Sequence, residues 1–277
     1  MNGKHGCPEL GVEGAAYATV IGQLVSGVLA LIFHLKVNKD ISNKLKYLKP
    51  SGKIIKGIYA IGLPAIIAQA LMSVMTYGLN KILPSQEMVT AYGIYYKVQQ
   101  FVLFAAFGLR DAITPIVSFA HGMKSKARVR DGIKYGMIYT LIIMLAGTVI
   151  VEVLAYPFAS LFGLSGKPEE QLFVTASQIV SVSFVFAGIN IAFQGVFQAL
   201  DSGIESLVVS VCRQLIFVLP VAWCFTIWAQ NSPDMTWIIW TTFPIAEIIS
   251  AAIACFLMRR VRRRKIDILN DGNNVFA

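Results

Sequence analysis

The chain has 277 residues, of which 56% are hydrophobic and only 14% charged, with a formal net charge of +9. Soluble domains carry about 25% charged residues, and a helix needs about 20 apolar residues to cross a hydrocarbon core of about 30 Å. Several runs here are that long, which excludes a soluble fold and makes the basic balance a matter of membrane orientation before nucleic-acid binding. Cys7, Cys212, Cys224 and Cys255 show no metal-ligand spacing; the last three lie in apolar runs, which predicts buried free thiols.

The apolar runs predict seven spans at about 11–35, 57–83, 87–120, 135–162, 170–200, 207–229 and 235–258. This is an all-α fold, a polytopic membrane helical bundle. The first span, "GVEGAAYATVIGQLVSGVLALIFHL", places Gly14, Ala18, Gly22, Ser26 and Ala30 at a spacing of four, the pattern that lets another helix approach closely. It is too long for the apolar region of a signal peptide and has no basic segment before it. A basic linker, "KVNKDISNKLKYLKPSGKIIKG", follows. Pro64 interrupts the second span, Gly108 and Pro115 the third, Gly188 and Gly195 the fifth, Pro220 the sixth and Pro244 the seventh. Such interruptions free backbone groups, which protein or a wet cavity must satisfy, and transporters place them near the midplane.

Basic residues orient the spans. Lys36, Lys39, Lys44, Lys46, Lys49, Lys53 and Lys56 fall in the linker; Lys124, Lys126, Arg128, Arg130 and Lys134 follow the third span; Arg259, Arg260, Arg262, Arg263, Arg264 and Lys265 follow the seventh. Against these eighteen the alternate side has Lys4, Lys81 and Lys167. The asymmetry predicts a multi-pass protein of the plasma membrane, N-terminus outside and C-terminus cytoplasmic. Trp228, Trp237 and Trp240 flank the loop "AQNSPDM", as an outer interfacial belt would.

Charge in the hydrocarbon costs about 2.5–3.5 kcal/mol on insertion scales, so it should meet a partner or a wet cavity. Counting about 1.5 Å per residue puts Lys97, Arg213 and Glu247 near mid-depth of the third, sixth and seventh spans, with Gln69, Asn190 and Gln194 at similar depth. Arg110 and Asp111 count as interfacial. Glu247 pairs best with Arg213, because a short loop joins their helices; the pair is either structural or part of a cavity that meets a polar solute. Lys97, with Tyr92, Tyr95 and Tyr96 before it, either lines a solute path or snorkels along its helix. Gln69, Tyr95, Lys97, Asn190, Gln194, Arg213 and Glu247 are therefore the candidate cavity residues. His5, His34 and His121 are scattered, and no HExxH, GxSxG, Walker loop or CxxC occurs. The expectation is no enzyme, no metal and no cofactor, with transport driven by a gradient or a partner.

Four segments, "GIYAIGLPAIIAQALMSVMTYGLNKIL", "AYGIYYKVQQFVLFAAFGLRDAITPIVSFAHGMKSKARV", "GVFQALDSGIESLVVSVCRQLIFVLPVAW" and "FPIAEIISAAIACFLMRR", resemble the multidrug and toxic compound extrusion (MATE) family, in order from about Gly52 to Arg264. The resemblance implies twelve helices in two six-helix lobes and sodium- or proton-coupled export of amphipathic cationic compounds. On it, 1–35 is the last helix of an N-terminal lobe, 36–56 a cytoplasmic linker, 57–265 the six-helix C-terminal lobe and 266–277 a cytoplasmic tail. It implies that the first five helices are missing and that the N-terminal lobe is a partner, alongside the lipid bilayer and small amphipathic cationic solutes, with no nucleic acid. Some members have acids at the positions of Met72 and Ala187, so the resemblance places the site of the coupling ion, H+ or Na+, outside this chain; Glu247 matches a proline-x-x-glutamate pattern of the final helix. The alternatives are a lipid-linked oligosaccharide flippase of the same superfamily, a non-functional fragment, and a seven-helix receptor or retinal protein. The last is disfavoured because 235–258 holds no lysine.

Overall fold

A computed structural model of the chain describes residues 11–38 and 50–269. The segment before Gly11, linker residues Lys39, Lys44, Lys46 and Lys49, and the tail beyond Leu269 lie outside the described residues. Two compact units divide between Ile54 and Ile55. In the first, α1 (Gly11–Lys36) is a continuous helix of 26 residues, about 39 Å long, whose apolar side chains, Tyr17, Leu24 and Phe33 among them, are exposed.

The second unit is a bundle of α2 (Gly52–Ile82, from Ile55 on), α3 (Gln86–Gly122), α4 (Lys126–Val153), α5 (Ala155–Leu161), α6 (Pro168–Ser181), α7 (Phe184–Ala199), α8 (Gly203–Val211), α9 (Val218–Asn231) and α10 (Thr242–Val261). The described residues form helices and turns, with no strand. Six stretches are single spans by length and composition, α1 included, and α6 with α7, bent by 53°, makes a seventh. The predicted fourth span starts earlier, at Lys126, and ends at Val153, with α5 as a separate short helix.

Local chemistry sets the boundaries. The Ser85 hydroxyl accepts from the Met88 N–H at 3.3 Å and caps α3. Gly163 and Gly166 take φ of +70° and +74°, which glycine adopts without strain, and the chain then enters α6 through Pro168 at its first position. The Glu170 carboxylate accepts the Gly166 N–H at 2.8 Å.

Except in the sixth span, where Pro220 closely follows the irregular turn, the breaks are not where proline and glycine predict them. Pro64 and Pro115 sit inside continuous helices, Gly108 lies in unbroken α3, and Pro244 falls in the first turn of α10, where a missing N–H costs nothing. The fifth span bends at Val182 and Ser183. The sixth carries a π turn over Cys212–Ile216, and the seventh enters through a 3-10 segment, Pro233–Thr241, kinked at Met235.

Helices α3, α4, α7 and α10 make the centre, with α6 against α3 and α4, and α8 and α9 flanking α7 and α10. Glycine sets the closest approach. A Cβ on Gly195 would stand 2.6 Å from Arg110 Cγ and 3.1 Å from the Arg110 carbonyl oxygen, so α7 lies on α3 as small residues allow in membranes. Thr114 Oγ1 donates to the Arg110 carbonyl at 2.8 Å, and Ser118 Oγ reaches across to the Ala199 carbonyl at 3.3 Å. Lipid replaces water as the outer solvent, so Phe101, Phe119, Ile142 and Leu161 point outward. For the same reason two of the cysteines predicted to be buried are not: Cys212 is buried, whereas Cys224 and Cys255 are exposed. Trp228 and Trp237 are half exposed, but Trp240 is 1% exposed and stacks on Tyr92, so it belongs to the core and not to an interfacial belt.

A polar layer between two apolar cores

The buried apolar residues form two clusters. One holds Met75, Tyr92, Tyr95, Ile191, Val218, Trp240 and Ala246. The other, at the basic end, holds Ile113, Val129, Val196, Val209, Ala254 and Val261. Each central helix passes from one to the other: α3 between Ala106 and Ile113, α7 between Ile191 and Val196, α10 between Ala246 and Ala254, and the sixth span between Val209 and Val218. At 1.5 Å per residue these gaps are roughly 10 Å deep. Polar side chains fill them, Arg110, Gln194, Arg213, Gln214, Glu247 and Ser250, with Asn190 at the edge.

An ion pair anchors the layer. Arg213 Nε donates to Glu247 Oε1 at 2.5 Å, with the two side chains 8% and 11% exposed. Asn190 Nδ2 donates to Glu247 Oε2 at 2.7 Å and to the Glu247 carbonyl at 3.2 Å. Both carboxylate oxygens are thus held, and a charge that would be costly alone is neutralised and hydrogen-bonded. The π turn presents Arg213: the Phe217 N–H bonds to the Cys212 carbonyl, one residue further back than in an α-helix. Pro220 follows and cannot donate to the Ile216 carbonyl. The extra residue in the turn shifts the register of Arg213 and Gln214 relative to α9, a device common at functional sites.

Beside the pair lies a cavity of about 160 Å³, walled by Gln69 and Met72 of α2, Phe107 and Arg110 of α3, Gln194 and Gln198 of α7, and Arg213 and Gln214. It has room for several waters. A smaller space of about 30 Å³ adjoins it, with Met72, Arg213 and Gln214 in both walls and Tyr96, Gln99 and Glu247 added. Asn190 Oδ1, Gln194 Nε2, Gln214 Oε1 and Ser250 Oγ are buried without a hydrogen-bond partner. Such atoms cost free energy until water or a solute meets them.

Of the predicted residues, Gln69, Asn190, Gln194, Arg213 and Glu247 converge here. Lys97 does not. It is exposed and borders a groove of about 730 Å³ lined by Phe101, Ile143 and Phe158 on the outer surface. Tyr95 is fully buried with its hydroxyl unpartnered, within electrostatic reach of Glu247 but not lining the cavity, and its neighbour Tyr96 lines the smaller space beside Glu247. Arg110 is not merely interfacial: it walls the cavity, bonded to Asp111 at 2.8 Å and lying 5.1 Å over the Phe107 ring. Gln198 and Gln214 were missed. Gln198 had a signal, since Asn190, Gln194 and Gln198 recur every fourth residue on one face of α7. Among the described residues no group of three His, Cys, Asp or Glu could hold a metal ion.

The MatE family model matches residues 61–224, more than half of the chain and most of the helices around this layer. The chain belongs to the MatE family. Among MatE relatives, the multidrug export protein MepA of Staphylococcus haemolyticus is 27% identical over 261 residues, covering 92% of this chain and 55% of that protein. MepA of Staphylococcus aureus is 24% identical over 259 residues, with the same coverage. The fold matches an outward-facing multidrug resistance MATE transporter of the MOP superfamily with a TM-score of 0.80 and 22% identity, over 92% of this chain and 58% of that one. It matches a MATE protein in the straight conformation with a TM-score of 0.81 and 22% identity, over 92% and 57%. The chain thus spans about half the length of the curated relatives it matches. Where the resemblance puts acids in some MatE members, this chain has Met72, whose Sδ accepts from Gln69 Nε2 at 3.7 Å, and the buried Ala187.

Proposed function

We propose that this chain supplies one half of a cation-coupled multidrug antiporter that exports amphipathic cationic compounds, seated in the plasma membrane with its basic end in the cytoplasm. The observation that carries the reading is a buried polar layer with a cavity at mid-depth, centred on Glu247, in a chain that matches the MatE model. Its cavity forms one wall of a translocation path, and a second lobe supplies the other wall and the coupling site for H+ or Na+. Alternating access needs two repeats moving against each other, so the chain alone binds solute without driving its export. Arg213 acts as a tethered counter-ion that an incoming cation displaces from Glu247. Lipid-linked oligosaccharide transport is the weaker reading, because both guanidinium groups at the cavity, Arg110 and Arg213, already have a carboxylate within 3 Å.

Titrating the purified chain with ethidium, an amphipathic cation, and with fluorescein, an anion of similar size, tests this. Ethidium is expected to bind saturably, and Glu247→Gln to weaken it about tenfold, the worth of one charge-assisted contact. Binding of fluorescein in preference to ethidium would overturn the reading and favour an anionic, phosphate-bearing substrate.

A further inference from the structure

At the basic end, two helix faces frame a groove of about 550 Å³. On α4, Ala127, Arg130, Asp131 and Lys134 lie at i, i+3, i+4 and i+7, which is one face of a helix. Opposite, Met258, Arg262 and Ile266 descend one face of α10 and the π turn that continues it, four residues apart. The small side chain of Ala127 leaves the space open, Ile133 and Met258 give it an apolar base, and Arg130, Lys134 and Arg262 rim it.

The charges around the groove do not balance. Asp267 Oδ1 lies 3.5 Å from Lys126 Nζ and 3.7 Å from Arg262 Nε, so one carboxylate serves two cations. Asp131 has no ion pair within 4 Å among the described residues. Among the described residues, four cations thus face two acids. The groove opens beside exposed apolar side chains of α4, Tyr135 and Ile138, which lie against acyl chains in a bilayer. The unmet need is therefore for an anion that carries its own apolar tail.

We propose that this groove is a binding site for an anionic phospholipid, with the phosphate between Arg130, Lys134 and Arg262 and the upper acyl chain against Ile133 and Met258. Basic pockets between membrane helices suit such headgroups, and each cation near the surface contributes about 1 kcal/mol, or a factor of about five. The inference stands apart from what the mid-depth cavity carries, since no residue is shared between the two.

The test is lipid retention by the full chain in neutral detergent, read by native mass spectrometry with phosphatidylglycerol and phosphatidylcholine in competition. Phosphatidylglycerol is expected to be retained over phosphatidylcholine. The triple variant Arg130→Gln, Lys134→Gln, Arg262→Gln should lose about a hundredfold of that preference, and Asp131→Asn should strengthen it. A matched variant, Arg259→Gln, Arg260→Gln, Arg264→Gln, removes the same charge from exposed positions at the same end and should keep the preference. If both triple variants lose it equally, the site is only diffuse surface charge and the proposal fails. It fails equally if inorganic phosphate displaces the lipid at the same concentration as dispersed phosphatidylglycerol, because the apolar base would then contribute nothing.

Discussion

Glu247 and Arg213 illustrate what one residue can and cannot reveal. Their depth was countable along the chain, and so was their pairing across a short loop. Breaking a buried pair leaves an uncompensated charge, at a cost of about 3–5 kcal/mol. Glu247→Gln and Arg213→Met should each lower thermal stability in detergent by that order, and the double variant should cost less than the sum. Additivity within about 0.5 kcal/mol would mean that the 2.5 Å contact contributes no coupling. Lys97 shows the limit of counting. Depth says nothing of azimuth, and successive helical residues turn by about 100°. Tyr92, Tyr95, Gln99, Leu103 and Ala106 share the buried face of α3, and Lys97, two residues from Tyr95, points away from it. Tyr95 keeps to that buried face within electrostatic reach of Glu247, and Tyr96, the next residue, borders the space beside it. A helical-wheel check on α3 would have separated these residues; nothing local marks Gln214, whose placement depends on the π turn.

The helices themselves were legible because twenty apolar residues have few alternatives in a bilayer. Apart from the turn before Pro220, their breaks were not, because proline and glycine had other work. Gly195 marks a helix crossing: a larger residue would press on the Arg110 backbone, which cannot swing aside as a flexible side chain can. Gly195→Val should cost about 1–3 kcal/mol by overpacking, measurable as a lowered unfolding temperature, and should disturb the cavity wall at Arg110 as well. The real bend in the fifth span, at Val182 and Ser183, carries neither proline nor glycine; it is set by packing of α6 and α7 on α3 and α4, which no local signal records. The start of α3, by contrast, is written locally. Ser85→Ala removes the hydroxyl that accepts from Met88 and should cost about 1 kcal/mol, while Ser85→Asp, which keeps a capping oxygen, should restore most of it.

For the whole molecule, charge asymmetry and the stacked cores describe one axis. The basic cluster at Lys126, Arg130 and Arg262 lies beyond one apolar core, and the turns at Lys167 and Ser232 lie beyond the other, with the polar layer between. A chain inserted by the positive-inside rule keeps its Lys and Arg cluster in the cytoplasm, because short basic loops resist translocation. The reverse insertion would carry most of eighteen cations across, at positions that the three on the alternate side cannot balance. With the native cysteines changed to serine, single thiols at Lys167→Cys and Ser232→Cys should therefore react with a membrane-impermeant maleimide added to sealed cells. A thiol at Ser51→Cys should react only after the membrane is opened. Labelling of Ser51→Cys in sealed cells would invert the axis. It would also put the groove between α4 and α10 in the outer leaflet and turn the mid-depth cavity the other way with respect to any ion gradient.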